Sequence, residues 1–348
     1  MIPVHRSNPV SCVRPGRPAH KRVDVEPGDE SVSKSPRLSE SPVDAAPLGS
    51  SPGSPVSPVP SQQGPSRIGP FLLLPVDNRD LMYVALNVDT GVELVCKKFD
   101  LGLYQEKIRA YSVLPVHRNI ARIRDIVLGE RHAYVFLDKG HGDMHTFVKS
   151  CKRLSEGRAA KLFHQVASAV AHCHQHGIVL GDLKLRKFVF SDEERSRVQL
   201  EGLDDSHILG GDDSLSETHG CPAYVSPEIL SGPGSYSGKP ADVWSLGVTL
   251  YTMLVGRYPF HDADPAALFS KIRRGQCCLP DGLSPRAKCL LRSLLRKDPW
   301  ERLTAAEVLI HPWLVDAVQE TGVTEQEVAL AEQTVPSFDE EEDSDLFC

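Results

Sequence analysis

The stretch Leu180-Gly181-Asp182-Leu183-Lys184-Leu185-Arg186-Lys187 sets one acid among three cations, with leucines threaded between them. Upstream of it, residues 159–176 place Leu162, Phe163, Val166, Val170 and Cys173 on one face at helical spacing, which predicts a long amphipathic helix. Downstream, Val198-Gln199-Leu200 alternates as a strand does and leads into Glu201-Gly202-Leu203-Asp204-Asp205. Farther upstream, 71–74, 82–87 and 92–99 read as three strands separated by the turn-like Asp77-Asn78 and Asp89-Thr90-Gly91. A short amphipathic helix over 104–114 and two more strands, 123–128 and 133–137, follow before the stretch begins. Beyond it the pattern is helical over 241–255, 265–273, 285–296 and 305–310. Strands first and helices afterwards predict an α+β molecule of two lobes, a small β-rich N-lobe and a larger helical C-lobe.

Three segments are expected along the chain: an arm over 1–66, a folded domain over 67–315 and a tail over 316–348. The arm holds 13 of the 27 prolines, many in Ser-Pro steps such as Ser35-Pro36, Ser51-Pro52 and Ser57-Pro58. It has almost no periodic apolar residues, so ordering it would not be repaid by burial, and it is expected to be disordered. The tail carries eleven acids and no Lys or Arg, so the net charge of −7 divides into an acidic end and a mildly basic body. That balance gives little support to general nucleic-acid binding. No run of about 20 apolar residues is present, which excludes a helical membrane span. The opening residues lack the apolar core of a secretory signal, and the nine cysteines show no paired spacing. Both point to an intracellular chain with reduced thiols.

Several segments resemble protein kinases, in order and at suitable intervals across about 68–315. Leu94-Val95-Cys96-Lys97 occupies the place of V-A-I-K, and Leu180 to Lys187 the place of H-R-D-L-x-x-x-N. Ser226-Pro227-Glu228 stands for A-P-E, followed by Asp242-Val243-Trp244-Ser245-Leu246-Gly247 and by Arg302 after Asp298-Pro299. By that resemblance Glu228 and Arg302 are expected to form a buried ion pair, and Asp242 to hold the backbone of the catalytic loop. Gly142-Asp143-Met144-His145, Ala171-His172-Cys173-His174-Gln175 and His219-Gly220-Cys221-Pro222-Ala223-Tyr224 are similar, almost residue for residue, to the Tribbles pseudokinases. So are Tyr258-Pro259-Phe260-His261-Asp262 and the tail segment Glu332-Gln333-Thr334-Val335-Pro336. This resemblance implies a catalytically impaired kinase fold that recruits other proteins.

The chemistry of phosphoryl transfer gives an independent reading. A kinase covers the nucleotide phosphates with a glycine-rich hairpin and screens them with magnesium. Here the corresponding turn, Pro75-Val76-Asp77-Asn78-Arg79-Asp80, has no glycine and two carboxylates. At roughly 6 Å and an effective dielectric near 20, each like-charge pair would cost about 3 kcal/mol before screening. Magnesium needs oxygen ligands, yet Lys187 fills the asparagine slot and Gly202 the slot of the D-F-G aspartate. A two-residue slip of that register would return Asp204 to the metal position. Lys97, Asp182 and Lys184 survive, either as vestigial packing groups or as a weak, metal-independent kinase. Glu106 is the best-placed acid for Lys97 by sequence. Gly181 replaces the arginine that usually grips a phosphorylated activation loop, which leaves phosphate on Ser214, Ser216 or Thr218 without its usual bidentate anchor. That frees the segment as a docking surface. His172, His174 and His176 have no following carboxylate and are not expected to bind zinc.

Two linear motifs follow from the resemblance. Leu309-Ile310-His311-Pro312-Trp313-Leu314 looks like the family's docking site for mitogen-activated protein kinase kinase, although a similar His-Pro-Trp closes many kinase cores. Glu332 to Pro336 is similar to the signal read by the constitutive-photomorphogenesis E3 ubiquitin ligase, with Ser337 departing from the usual acid. CCAAT/enhancer-binding transcription factors are the implied clients, protein kinase B a further partner, and nucleus and cytoplasm the implied locations. No cofactor is expected beyond weak ATP binding without magnesium. A stoichiometric inhibitor of signalling kinases is the remaining alternative.

Overall fold

The computed structural model describes residues 2–11, 64–76, 79–216, 220–232 and 234–319. The small lobe is one eight-stranded sheet, built from β1 (Val4–Arg6), β2 (Val10–Ser11), β3 (Ser66–Ile68), β4 (Phe71–Val76), β5 (Arg79–Asn87), β6 (Glu93–Asp100), β7 (Ile123–Leu128) and β8 (His132–Asp138). Spatial order runs β1-β7-β8-β6-β5-β4-β3-β2. Alternation in β4 sends Phe71 and Leu73 inward, where they meet Ala85, Cys96 and Phe136. Phe71 and Phe136 stack with centroids 3.8 Å apart. One helix, α1 (Tyr104–Val113), lies against this sheet and buries Ile108 and Ala110.

The large lobe contains α2 (Met144–Cys151), α3 (Glu156–Gln175), α4 (Gly238–Val255), α5 (Pro265–Arg274), α6 (Pro285–Leu294), α7 (Ala305–Leu309) and α8 (Pro312–Gln319). Local chemistry starts several of them. Asp143, Asp264, Ser284 and Thr304 cap the N-termini of α2, α5, α6 and α7 by accepting backbone N–H groups three residues on, and Thr304 forms a capping box with Glu307. Proline occupies the first turn of α5 and α6, where its missing N–H is no loss. α4 is buried all round, from Ala241 to Leu254, and forms the axis of the lobe. It stops at Gly256 with φ +80°; a Cβ there would lie 1.8 Å from the Lys152 carbonyl oxygen, so only glycine fits.

Short strand pairs complete the large lobe. β10 (Phe188–Phe190) pairs with β11 (Val198–Leu200), β9 (Ile178–Val179) with β12 (His207–Ile208), and β13 (Ser214–Leu215) with β14 (Tyr236–Ser237), all antiparallel. The predicted strands and helices therefore stand within a few residues of their expected bounds. Both outer boundaries move. The arm was expected to begin at residue 1, but residues 4–6 and 10–11 are strands of the small-lobe sheet; residues 12–63 lie outside the described residues. The tail was expected from residue 316, but α8 continues to Gln319, and Asp316 pairs with Arg286. Residues 320–348 lie outside the described residues. No helix among the described residues is long and apolar enough to cross a membrane.

Candidate functional site: a cleft closed by its own charges

Lys97 projects from β6 into the cleft between the lobes, and Asp204, four residues past β11, meets it there. The ammonium donates to both carboxylate oxygens, at 2.9 and 3.2 Å. Burial works against the charge on Lys97, but Tyr111, Asp204 and Glu201 outweigh it and hold its pKa above the ordinary lysine value. Glu106, the acid expected to serve this lysine, sits on the exposed side of α1. The backbone turns at Gly202, φ +87°, and this sends Asp204 back toward β6.

Lys187 enters the same space. Its ammonium donates to the Gly202 carbonyl at 3.2 Å and lies 3.8 Å from Asp182 and 3.9 Å from Asp205. Burial lowers its pKa, opposed by those carboxylates. Gly202 thus sits between two ammonium groups, and a Cβ there would lie 3.8 Å from Lys97 Nζ. Asp205 is held on its outer side by Lys107 of α1 at 3.1 Å. Although burial alone would raise its pKa, the lysines bring Asp205 below the usual carboxylate range.

Asp182 is equally engaged. Lys184 donates to its Oδ2, and the backbone N–H of Cys221 donates to Oδ1 at 3.2 Å. The cavity that Asp182 shares with Gly220, Cys221 and Tyr224 offers only about 10 Å³, too little for more than a single water. Below it, Asp242 accepts from the amides of Leu180 at 2.8 Å and Gly181 at 3.0 Å, and shares a 2.9 Å hydrogen bond with His174 Nε2. Sequence reasoning placed Asp242 correctly. It also placed the Glu228–Arg302 pair, which is bidentate at 2.7 Å on both arms.

Tyr111 was missed. Its hydroxyl oxygen accepts from the amides of Gly202 at 3.0 Å and Leu203 at 3.1 Å, sealing α1 onto the segment that follows β11. Burial pushes the phenol up to about 12, with Lys97 opposing, so it stays neutral. The signal was present in the spacing of Tyr104, Ile108 and Tyr111, one face of α1 at i, i+4 and i+7.

Magnesium–nucleotide does not fit this donor set. Lys187 offers no ligand atom and holds the Gly202 carbonyl, while Asp204 and Asp205 are each bound to a lysine. Among the described residues no cluster of His, Cys, Asp or Glu could hold a metal. His172 stacks on His117 with ring centroids 4.6 Å apart, and His176 lies tilted against His172 at 4.4 Å. The segment that carries Ser214 is anchored at Asp213. Asp213 accepts from Ser237 Oγ at the start of α4, and its carbonyl accepts from Gly238 N at 2.8 Å. Asp77, Asn78, Thr218 and the tail motif 332–336 lie outside the described residues. Within 309–314, Trp313 and Leu314 are buried and only Ile310 and Pro312 are exposed. Trp313 Nε1 donates to Glu156 at 2.9 Å, so these two residues belong to the core.

A bilobal fold with this ordered set of loops is a protein kinase domain, and the model of that family matches residues 83–314. The relatives are narrower in kind. Human Tribbles homolog 1 is 56% identical over 349 residues, covering 96% of this chain and 93% of its own. Dog Tribbles homolog 2 is 54% identical with 99% of both chains covered, and mouse Tribbles homolog 3 is 54% identical over 72% of this chain and 71% of its own. The chain belongs to the Tribbles pseudokinase family.

Proposed function

We propose that the protein is an adaptor whose kinase-like domain captures a client while its tail holds a ubiquitin ligase. One observation carries the reading. Every ammonium that a nucleotide would need is already met by a carboxylate or carbonyl of the same cleft. Such a cleft favours a scaffold over phosphoryl transfer, since phosphate must displace paired, half-buried charges to enter.

The ligase is the constitutive-photomorphogenesis E3 ubiquitin ligase, bound through Glu332-Gln333-Thr334-Val335-Pro336. Val-Pro has a narrow backbone range and an apolar anchor, and the acidic neighbours steer it toward a basic face. Clients are CCAAT/enhancer-binding transcription factors; mitogen-activated protein kinase kinases and protein kinase B are further partners, met in nucleus and cytoplasm. Holding client and ligase on one chain raises the local concentration of each for the other.

Deleting 332–348 is expected to abolish ligase pull-down while the domain stays folded; undiminished binding rejects the reading. Titration with ATP and magnesium is expected to give no thermal shift. The rival, a metal-independent kinase, draws on the convergence of Lys97, Asp182 and Lys184, and requires phosphate incorporation above that of Asp182→Asn. Client half-life with and without the tail separates the adaptor from a stoichiometric inhibitor.

A further inference from the structure

Residues 2–11 join the two outer edges of the small-lobe sheet. β1 runs parallel to β7 and β2 antiparallel to β3, although β7 and β3 stand far apart in the strand order. Ser7 links both edges: its N–H donates to the Leu128 carbonyl at 3.0 Å, and its Oγ accepts from Gly69 N at 3.1 Å. The Pro3 carbonyl accepts from Ile126 N at 3.1 Å, and Asn8 donates to Glu130 at 3.0 Å. Ile2 packs into the cluster formed by Ile108 of α1 and Ile126 of β7. Together Ile2, Pro3 and Val4 wall a groove of about 650 Å³, bounded opposite by Ile108, Tyr111 and Leu203.

The grip is mostly backbone. Val4 is 53% exposed, Arg6 faces solvent, and the exposed His5 reaches Asp125 of β7 with its Nε2 at 3.5 Å. A few hydrogen bonds, the exposed His5–Asp125 contact and one half-buried isoleucine offset an ordering cost of similar size for a chain end. A seat of that kind can be vacated without unfolding the lobe.

We infer that the edge of β7 beside α1 is a binding seat for an extended peptide, that residues 2–11 are its ligand in cis, and that its occupancy holds α1 and the Tyr111 seal in place. The ligand class is a segment that adds a parallel strand, with a branched apolar side chain at its second position and a hydroxyl at its seventh.

Amide hydrogen exchange on the full chain and on a chain lacking residues 2–11 tests this, with a synthetic peptide of residues 1–14 supplied in trans. Deletion is expected to speed exchange at Ile126 and Gly69 by tenfold or more. Gly202 and Leu203 follow, while the amides of α4 are unchanged, and the peptide restores all four. Ser7→Ala in the full chain is expected to speed Gly69 while Ile126 stays protected. Unchanged exchange at Ile126 and Gly69 overturns the seat. Faster exchange there with Gly202 and Leu203 unchanged overturns the hold on α1, and failure of the peptide to restore protection overturns its role as the ligand.

Discussion

Arg302 engages all five of its N–H donors, two on Glu228 and one each on the carbonyls of Pro240, Arg296 and Lys297. Its side chain is fully buried. Lysine has neither the fork nor the reach to replace it. Arg302→Lys is therefore expected to cost about 3 kcal/mol and lower Tm by roughly 6–10 °C, read by thermal denaturation. In the cleft, Asp204→Asn removes the charge that competes with phosphate for Lys97. Binding of a fluorescent ATP analogue in EDTA is expected to tighten by about three- to tenfold, roughly 1 kcal/mol; unchanged affinity would show that Lys97 is not what phosphate lacks. Lys187, Gly202, Asp242 and Glu228 were legible in the sequence because each occupies a fixed step in a short motif. The Lys97–Asp204 pair was not, since it spans 107 positions and depends on how the backbone turns at Gly202.

At the level of elements, α1 acts on the cleft through one hydroxyl. Tyr111→Phe leaves the amides of Gly202 and Leu203 without their acceptor, at a cost of about 1–3 kcal/mol, and both are expected to exchange faster. In the contact between the 115–119 turn and α3, His117 stacks on His172, with Ser168 on His117 Nε2, Arg118 beside it and His176 tilted against the far side of His172. Burial, then His172 and Arg118, lower the pKa of His117 below its ordinary 6.5. The unfolded chain takes up the proton first, so the stabilising contribution is intact above pH 6.5 and is lost as pH falls below it. Tm is expected to fall between pH 7 and pH 5. His117→Gln makes that slope shallower without abolishing it, because burial also depresses His145, His164 and His311. The long helices and inner strands were legible from their apolar periods. β1 and β2 were not, because backbone bonds hold them and leave no alternation in the side chains.

On the scale of the whole molecule, the folded body includes α8 and so passes the boundary expected at residue 315. Cutting the chain after Gln319 is expected to leave Tm within a degree or two. Cutting after Ile310 removes Trp313 and Leu314 from the core and is expected to cost about 3–5 kcal/mol. A kinase kinase that reads 309–314 in the intact chain meets Ile310 and Pro312 and the partly exposed Leu309 and His311, but not Trp313 or Leu314 unless α8 detaches. The large-lobe architecture was readable because kinase-like loops recur in fixed order. How the cleft is filled was not, because it depends on groups from β6, α1 and the segment after β11 converging in space. Those interlocked ion pairs also dictate what a designed inhibitor must look like. A purely anionic nucleotide mimic would strand Asp204 and Asp205, and a simple amine would strand Lys97 and Lys187; a zwitterion replaces both halves at once.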